Sequence, residues 1–402
     1  MAVTACAFAI LGTPGHVRDP QRFDDEALLR VLGANSGNLM FQYAASQIID
    51  APLIHIGMAE TPYNDVAALR DARALIFPAA NHLRLGADWT GLANYLGQQR
   101  LPVVVLGLGA QSPKLGGERD TIAALRADAQ VMRLVATLRE KAVFVSVRGA
   151  YSQMVCEELG LPGTEVLGCP SAMLNPDPTA GQAMAARLAV LRARLVADPA
   201  TPVRLAVTAA APFEIRGDPP KRDLERRLVA WAMAARGLYV QQSGGVAAML
   251  AANGQWHALP GSTRRSIAAV LAPDTDGVEF WAFMAGSGRF YLGAPAWREA
   301  MRGMDVVLGT RLHGNMAAIA AGTPGVLIAH DSRTGELGQT MHLPQLAFDA
   351  AMAAPSLAAA LDAVSFDPAA FDAWRAATAR RLATVFARLD IPLGPHVRRL
   401  TG

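Results

Sequence analysis

Short apolar runs alternate with stretches of helical spacing along most of the chain. This is the pattern of parallel β-α-β units whose strands are buried on both faces. In the first half, residues 74–77, 103–106 and 142–147 read as strands. The apolar opening at 2–12 halts at Thr13-Pro14-Gly15 and carries no basic flank, so it reads as a first buried strand rather than a signal peptide. Helical spacing covers 39–50, 122–138 and 150–159. Asn175-Pro176-Asp177-Pro178 ends this block, and a linking helix follows. After Asp198-Pro199-Ala200-Thr201-Pro202 the same alternation restarts, with strands expected at 204–208, 238–241, 290–292, 306–308 and 326–329. Residues 368–389 have helical spacing and read as one or two closing helices.

The expected fold is therefore α/β, with two Rossmann-like doubly wound domains facing a cleft, one over residues 1–180 and one over 200–390. A chain of 402 residues is long enough for two cores. In such sheets ligands bind where the strand C-termini open into the crevice. Residues at those ends are the first to examine for chemistry.

Charge narrows the partners. The chain has 37 basic and 34 acidic residues, a net charge of +3. That lacks the dense basic stripe of a nucleic-acid binder and suits a local basic pocket for a small anion. Cys6, Cys156 and Cys169 are odd in number and form no CxxC pair, so they read as small buried hydrophobes in a reducing compartment. The apolar run at 102–110 is too short to span a bilayer, and no run reaches about 18 apolar residues. A cytoplasmic protein is expected, with contact at the inner face of the membrane left open.

Three segments carry candidate chemistry. In Asp305-Val306-Val307-Leu308-Gly309-Thr310-Arg311-Leu312-His313-Gly314 a buried strand runs into a turn that presents Arg311 and His313, with a helix from about Asn315. A guanidinium, an imidazole and free amides at a helix N-terminus together suit a phosphate or carboxylate. The bland alternative is a capping turn with a surface arginine and a packed histidine. In Val143-Phe144-Val145-Ser146-Val147-Arg148-Gly149 a second strand ends at an arginine, a common feature alone. Two such basic turns, one per domain, make sense if they converge on one anion. Gly33-Ala34-Asn35-Ser36-Gly37-Asn38 is a small polar loop before a helix, where Asn35, Gly37 and Asn38 could meet sugar hydroxyls or simply form a tight turn with an asparagine cap. Glu214, following the strand over 204–208, is a candidate acceptor base, set against the plainer reading of a solvated loop carboxylate. No cluster of metal ligands is visible, and the neighbours His330 and Asp331 read as structural.

These segments, in this order, resemble the polysaccharide pyruvyl transferase family. The resemblance continues through Gly322-Thr323-Pro324-Gly325-Val326-Leu327-Ile328 and Asp331-Ser332-Arg333. The Arg-Leu-His-Gly turn with the Gly-Thr-Pro after it is specific; the first loop is not. The family implies a glycosyltransferase B-like fold and transfer of pyruvate from phosphoenolpyruvate to sugar hydroxyls as a ketal, with phosphoenolpyruvate as donor substrate and no separate cofactor. It implies that Arg148, Arg311 and His313 hold the donor, joined by Arg333, with Leu312 and Gly314 on the same turn; His313 is also assigned proton transfer, because an imidazole donates and accepts near neutral pH. The acceptor would be a sugar, free or on a lipid-linked oligosaccharide. Two departures stand out: Asn38 where many relatives carry an acidic residue, and Cys169-Pro170 in place of an Asp-Pro. The alternatives are a nucleotide-sugar glycosyltransferase or epimerase of the same architecture, with Glu336 in Thr334-Gly335-Glu336-Leu337-Gly338 as its ribose ligand, or a non-catalytic sugar-binding protein.

Overall fold

Two six-stranded sheets, parallel throughout, organise the chain in the computed structural model, which describes residues 7–57, 67–112 and 118–402. The first contains β1 (Ala7–Leu11), β2 (Leu53–Ile56), β3 (Ala72–Pro78), β4 (Val103–Leu108), β5 (Ala142–Val147) and β6 (Glu165–Val166), in the order β2-β1-β3-β4-β5-β6. The second contains β7 (Leu205–Ala209), β8 (Leu238–Gln241), β9 (Gly288–Arg289), β10 (Val306–Gly309), β11 (Gly325–Ile328) and β12 (Gln345–Leu346), in the order β12-β11-β10-β7-β8-β9. Each sheet reverses its winding once, between β1 and β3 and between β7 and β10. A crevice opens at such a point, beyond the strand C-termini. The expected pair of doubly wound domains is what the chain forms.

The central strands are apolar on both sides because both sheet faces are covered. Along β1, Phe8 and Ile10 enter one core while Ala9 and Leu11 enter the other; along β4, Val104 and Leu106 divide from Val103 and Val105 in the same way. The period of two thus sorts one strand between two cores. Between β7 and β10 the backbones approach so closely that a side chain on Gly309 would overlap the Thr208 carbonyl oxygen.

Several boundaries differ from the expectation. The helical pattern over 122–138 is two helices, Glu118–Ala127 and Ala129–Lys141, because Asp128 caps the second by accepting from the Gln130 and Val131 amides. The strand expected at 290–292 ends at Arg289; the backbone beyond it turns to the first domain, where Val17 N–H donates to the Leu292 carbonyl. Strands β2, β6 and β12 are short edge strands with weak patterns. Cys156 and Cys169 are buried as expected, and burial pushes the Cys156 thiol up to about 12; Cys6 lies outside the described residues.

The two domains share a core. The helix Leu312–Ala320 is buried at every position, and its Leu312, Met316 and Ile319 pack with Phe8, Ile10 and Phe41 of the first domain. The tail then crosses back. The helix Pro368–Arg388 places Phe371, Leu382, Val385 and Phe386 in that same core and packs along the linking helix Ala180–Ala197. We propose on this ground that residues 368–400 belong with the first domain rather than the second. Among the described residues no helix is long and apolar enough to cross a membrane.

Arg375 locks the tail in place. It is 1% exposed, stacks over Phe371, and donates to the carbonyls of Ala172, Asp177 and Asn175. Burial lowers its pKa to about 10, which leaves it charged at neutral pH. Arg375→Met strands those carbonyls without a donor and should cost about 3 kcal/mol or more. The midpoint of urea unfolding measures this, and an unchanged midpoint would show that the tail is held by its apolar contacts alone.

Candidate functional site

The C-terminal ends of both sheets open onto one cavity of about 400 Å³ between the domains. Arg148, Arg311, Leu312 and His313 all line it, as do Asn35 and Asn38 from the first loop. The structure therefore brings together the two basic turns that the sequence places in different domains.

Arg148 follows β5 directly and is 2% exposed. Its Nε donates to the Gly107 carbonyl at 3.0 Å, Nη1 to Asn81 Oδ1 at 3.4 Å and Nη2 to the Ala79 carbonyl at 3.4 Å. The guanidinium lies over the Phe41 ring, 5.7 Å from its centroid. Burial works against the charge, and the nearby Cys169 and Glu336 offset part of this. The result is a guanidinium fixed at the cavity wall by three acceptors and an aromatic ring.

Arg311 is the N-cap of the buried Leu312–Ala320 helix, at the end of β10. One side of its guanidinium pairs with the carboxylate of Glu214, on the one-turn helix Pro212–Ile215. Its Nε is buried and has no hydrogen-bond partner among the described residues. Glu214 is thus neither a free base nor a merely solvated carboxylate; it neutralises the second arginine at the rim. His313, 8% exposed, sits in the first turn of the same helix, beside the Phe41 ring and 3.7 Å from Cys169 Sγ through Nε2. The Cys169 departure therefore sits at the histidine itself, a contact that no spacing argument reveals. Gly314 lies against β7, where a side chain would overlap the Thr208 methyl group, so packing alone accounts for its lack of a side chain.

The first loop is used mainly for joining the domains. Asn35 Oδ1 accepts from the Gly37 amide at 2.8 Å and from Gln242 Nε2 at 3.0 Å, and the Ser36 amide donates to the Gln242 carbonyl at 2.8 Å. A side chain on Gly37 would meet Gln242 Nε2 at 2.5 Å. Asn38 Nδ2 donates to the Leu32 carbonyl at 2.9 Å, tying the loop to the turn before it. Gln242 also lines the cavity and was not singled out from sequence. Arg333 lies in the first turn of the helix Ser332–Thr340, but its side chain falls outside the described residues.

Glu336, the candidate ribose ligand of the nucleotide-sugar alternative, is engaged across the domain boundary. Its Oε1 accepts from the Ser152 amide at 2.7 Å and its Oε2 from the Ser152 hydroxyl at 3.1 Å, so it caps the first-domain helix Ala150–Glu158 from the second domain. Gly149 has no room for a side chain because Glu336 fills it. Asp331 caps its own helix by accepting from the Thr334 amide at 2.7 Å. A second groove, of about 690 Å³ around Trp256 and Trp281, is lined by none of the residues singled out from sequence.

The sequence model of the polysaccharide pyruvyl transferase family matches residues 286–332. The resemblance holds over this segment. It spans β10, the Arg311-Leu312-His313-Gly314 turn and β11, and marks the chain as a transferase. Arg148 and the first loop lie outside the match. No curated protein matches the chain. Among solved structures, HepE of Anabaena in complex with UDP and glucose is 11% identical over 96% of this chain and 98% of its own, with a TM-score of 0.39. The trehalose-6-phosphate synthase OtsA is 15% identical over 84% and 73%, with a TM-score of 0.37. The α,α-trehalose-phosphate synthase (UDP-forming) of Burkholderia vietnamiensis is 12% identical over 82% and 74%, with a TM-score of 0.38.

Two groups of this transferase's site left no signal in the sequence. His82, after β3, lines the cavity between Phe77 and Trp89, and the Ala80 amide donates to its Nδ1 at 2.9 Å. Burial, with Arg148 and Arg84 adding to it, lowers its pKa to about 4. Glu225 is buried beneath Arg311, and burial raises its pKa to about 7. Each sits in an unremarkable local pattern, and only the tertiary fold brings it to the cleft.

His82 makes stability depend on pH. Its folded pKa lies below the unfolded value, so its contribution is complete above about 6.5 and is lost as pH falls toward about 4, by up to roughly 3 kcal/mol. His82→Phe should flatten the fall in the urea midpoint between neutral pH and about pH 5 relative to wild type. Parallel curves for the two proteins would mean that the imidazole is not held neutral.

Proposed function

We propose that the cleft binds phosphoenolpyruvate and transfers its pyruvyl group to a pair of sugar hydroxyls as a ketal. The observation that carries this reading is the convergence of Arg148 and Arg311, one from each domain, on one cavity that also holds His313. A donor with a carboxylate and a phosphate needs compensating charge on two sides, and two guanidinium forks supply it with directional hydrogen bonds. In this reading Arg148 and Arg311 clamp the donor. The amides of Leu312, His313 and Gly314 at the helix N-terminus face its phosphate; the family resemblance adds Arg333 to the set.

The chemistry balances as follows. A proton adds to the methylene carbon of the donor, leaving its central carbon cationic. An acceptor hydroxyl adds there and gives up its proton. The carbon–oxygen bond to phosphate breaks, phosphate departs, and a second hydroxyl closes the ketal as it loses its own proton. His313 is the group suited to move a proton at the donor, since an imidazole can donate and accept near neutral pH. Glu214 becomes available to accept a hydroxyl proton once the donor's anionic groups take over Arg311. Asn35 and Asn38, which line the cavity, serve the acceptor side in this reading, and Gly37, packed against Gln242, supports them. A polysaccharide or its lipid-linked precursor, met at the inner face of the membrane by a cytoplasmic enzyme, is the acceptor this scheme calls for.

Two substitutions test the assignment. Arg311→Ala removes a charge-assisted contact worth roughly 1.5–3 kcal/mol, so donor affinity should fall about tenfold or more. An unchanged dissociation constant for phosphoenolpyruvate would remove Arg311 from the donor site. His313→Asn keeps a hydrogen-bonding group that cannot titrate near neutral pH; turnover, read as phosphate release with acceptor glycan, should drop about a hundredfold while donor binding changes little. Turnover near wild type in that variant would restrict His313 to binding.

A further inference from the structure

The second sheet buries a carboxylate that the scheme above does not use. Glu225 lies on the helix Pro219–Ala234 and is 1% exposed. Thr310 Oγ1 donates to its Oε1 at 2.6 Å, and the Ala210 backbone amide is near enough to favour its ionised form. Thr310 follows β10 and Ala210 follows β7, so one side chain ties together the two strand ends that flank the switch point. The residue after Thr310 is Arg311. Among the described residues Glu225 Oε2 is buried without a hydrogen-bond partner, and so are Arg311 Nε and the Tyr239 hydroxyl. Among the described residues, a buried carboxylate with an unmatched oxygen thus holds the residue next to Arg311 and acts electrostatically on a guanidinium that has an unmatched nitrogen of its own.

We infer that Glu225 is a positioning residue that sets donor affinity: it fixes the Thr310–Arg311 turn from beneath, and on ionising it competes with the donor anion for the charge of Arg311. The inference rests on the donor reading given above. The titratable groups acting on Glu225 are Arg311 from the turn after β10, Glu214 from the helix Pro212–Ile215 and Tyr239 from β8. Burial favours its neutral form; the Thr310 hydroxyl, Arg311 and the Ala210 amide favour the ionised form, and Glu214 opposes it, so the balance lies at about 7. The sign follows. Below that value Glu225 is neutral and Arg311 answers to the donor and Glu214 alone. Above it a second negative charge sits under the guanidinium, in a medium that screens poorly, and the donor is held less tightly. By reciprocity, a bound donor raises the proton affinity of Glu225, and binding near neutral pH takes up protons.

Calorimetric titration of phosphoenolpyruvate into the full chain, between about pH 6 and about pH 8.5 and in two buffers of different ionisation enthalpy, reads both effects. Glu225→Gln keeps an oxygen to accept from Thr310 but cannot titrate. The ratio of wild-type to variant dissociation constants cancels the donor's own phosphate ionisation and should rise roughly tenfold across that range, with the extra proton uptake lost in the variant. Thr310→Val removes a bond that favours the ionised form and should move the loss of affinity to higher pH, which keeps the test decisive should the first variant fail to fold. A constant ratio with equal proton uptake, or a Thr310→Val curve that coincides with wild type, overturns the role of Glu225 while leaving the donor reading intact. No binding of phosphoenolpyruvate by the wild type at any pH overturns the donor reading and this inference with it.

Discussion

The burial of the Leu312–Ala320 helix on every side is the constraint on which the rest of the structure depends. A helix between two sheets can be polar only at its ends, and its N-terminus points into the cleft, where Arg311 caps it and His313 occupies the first turn. Its depth explains why Gly309 and Gly314 have no side chains, since β7 leaves no room for one at either position. Because Leu312, Met316 and Ile319 pack into the core of the first domain, the position of Arg311 relative to Arg148 is set by close packing rather than by a flexible linker. The contacts of Asn35 with Gln242 and of Glu336 with Ser152 add two polar ties across the same boundary.

Charge around the cleft follows from that geometry. Arg148 is almost fully buried, and a lone guanidinium there would be unstable without hydrogen bonds; the Gly107 and Ala79 carbonyls and Asn81 supply them. Arg311 is compensated instead by carboxylates, Glu214 at the rim and Glu225 below. The two arginines therefore differ in kind. One is held by hydrogen bonds to neutral acceptors, with Glu336 acting on it only through space. The other is partly neutralised, by a rim carboxylate that an anion of higher charge can replace.

Much of this was legible in the sequence because strand ends in parallel sheets carry the chemistry. The runs ending at Arg148 and Arg311 are valine-rich apolar stretches, and each is a strand ending in its arginine's turn. The short edge strands β2, β6 and β12 lack that signal. The break at Asp128 was missed because its cap reads as one more polar position on a helix face. Glu336, offered as a ribose ligand, caps a helix of the other domain, a pairing 184 residues apart that no local pattern encodes. His82 and Glu225 were invisible for the same reason: burial by distant segments gives them their properties, and the sequence around each is ordinary.

The central claim is that the two arginines clamp one donor. A crystal structure of the protein soaked with phosphoenolpyruvate tests it most directly. The account predicts density for the donor in the inter-domain cavity, bridging Arg148 and Arg311, with Glu214 released from Arg311. Donor bound elsewhere, or a cavity left empty at saturating donor with the Arg311–Glu214 pair intact, would contradict it.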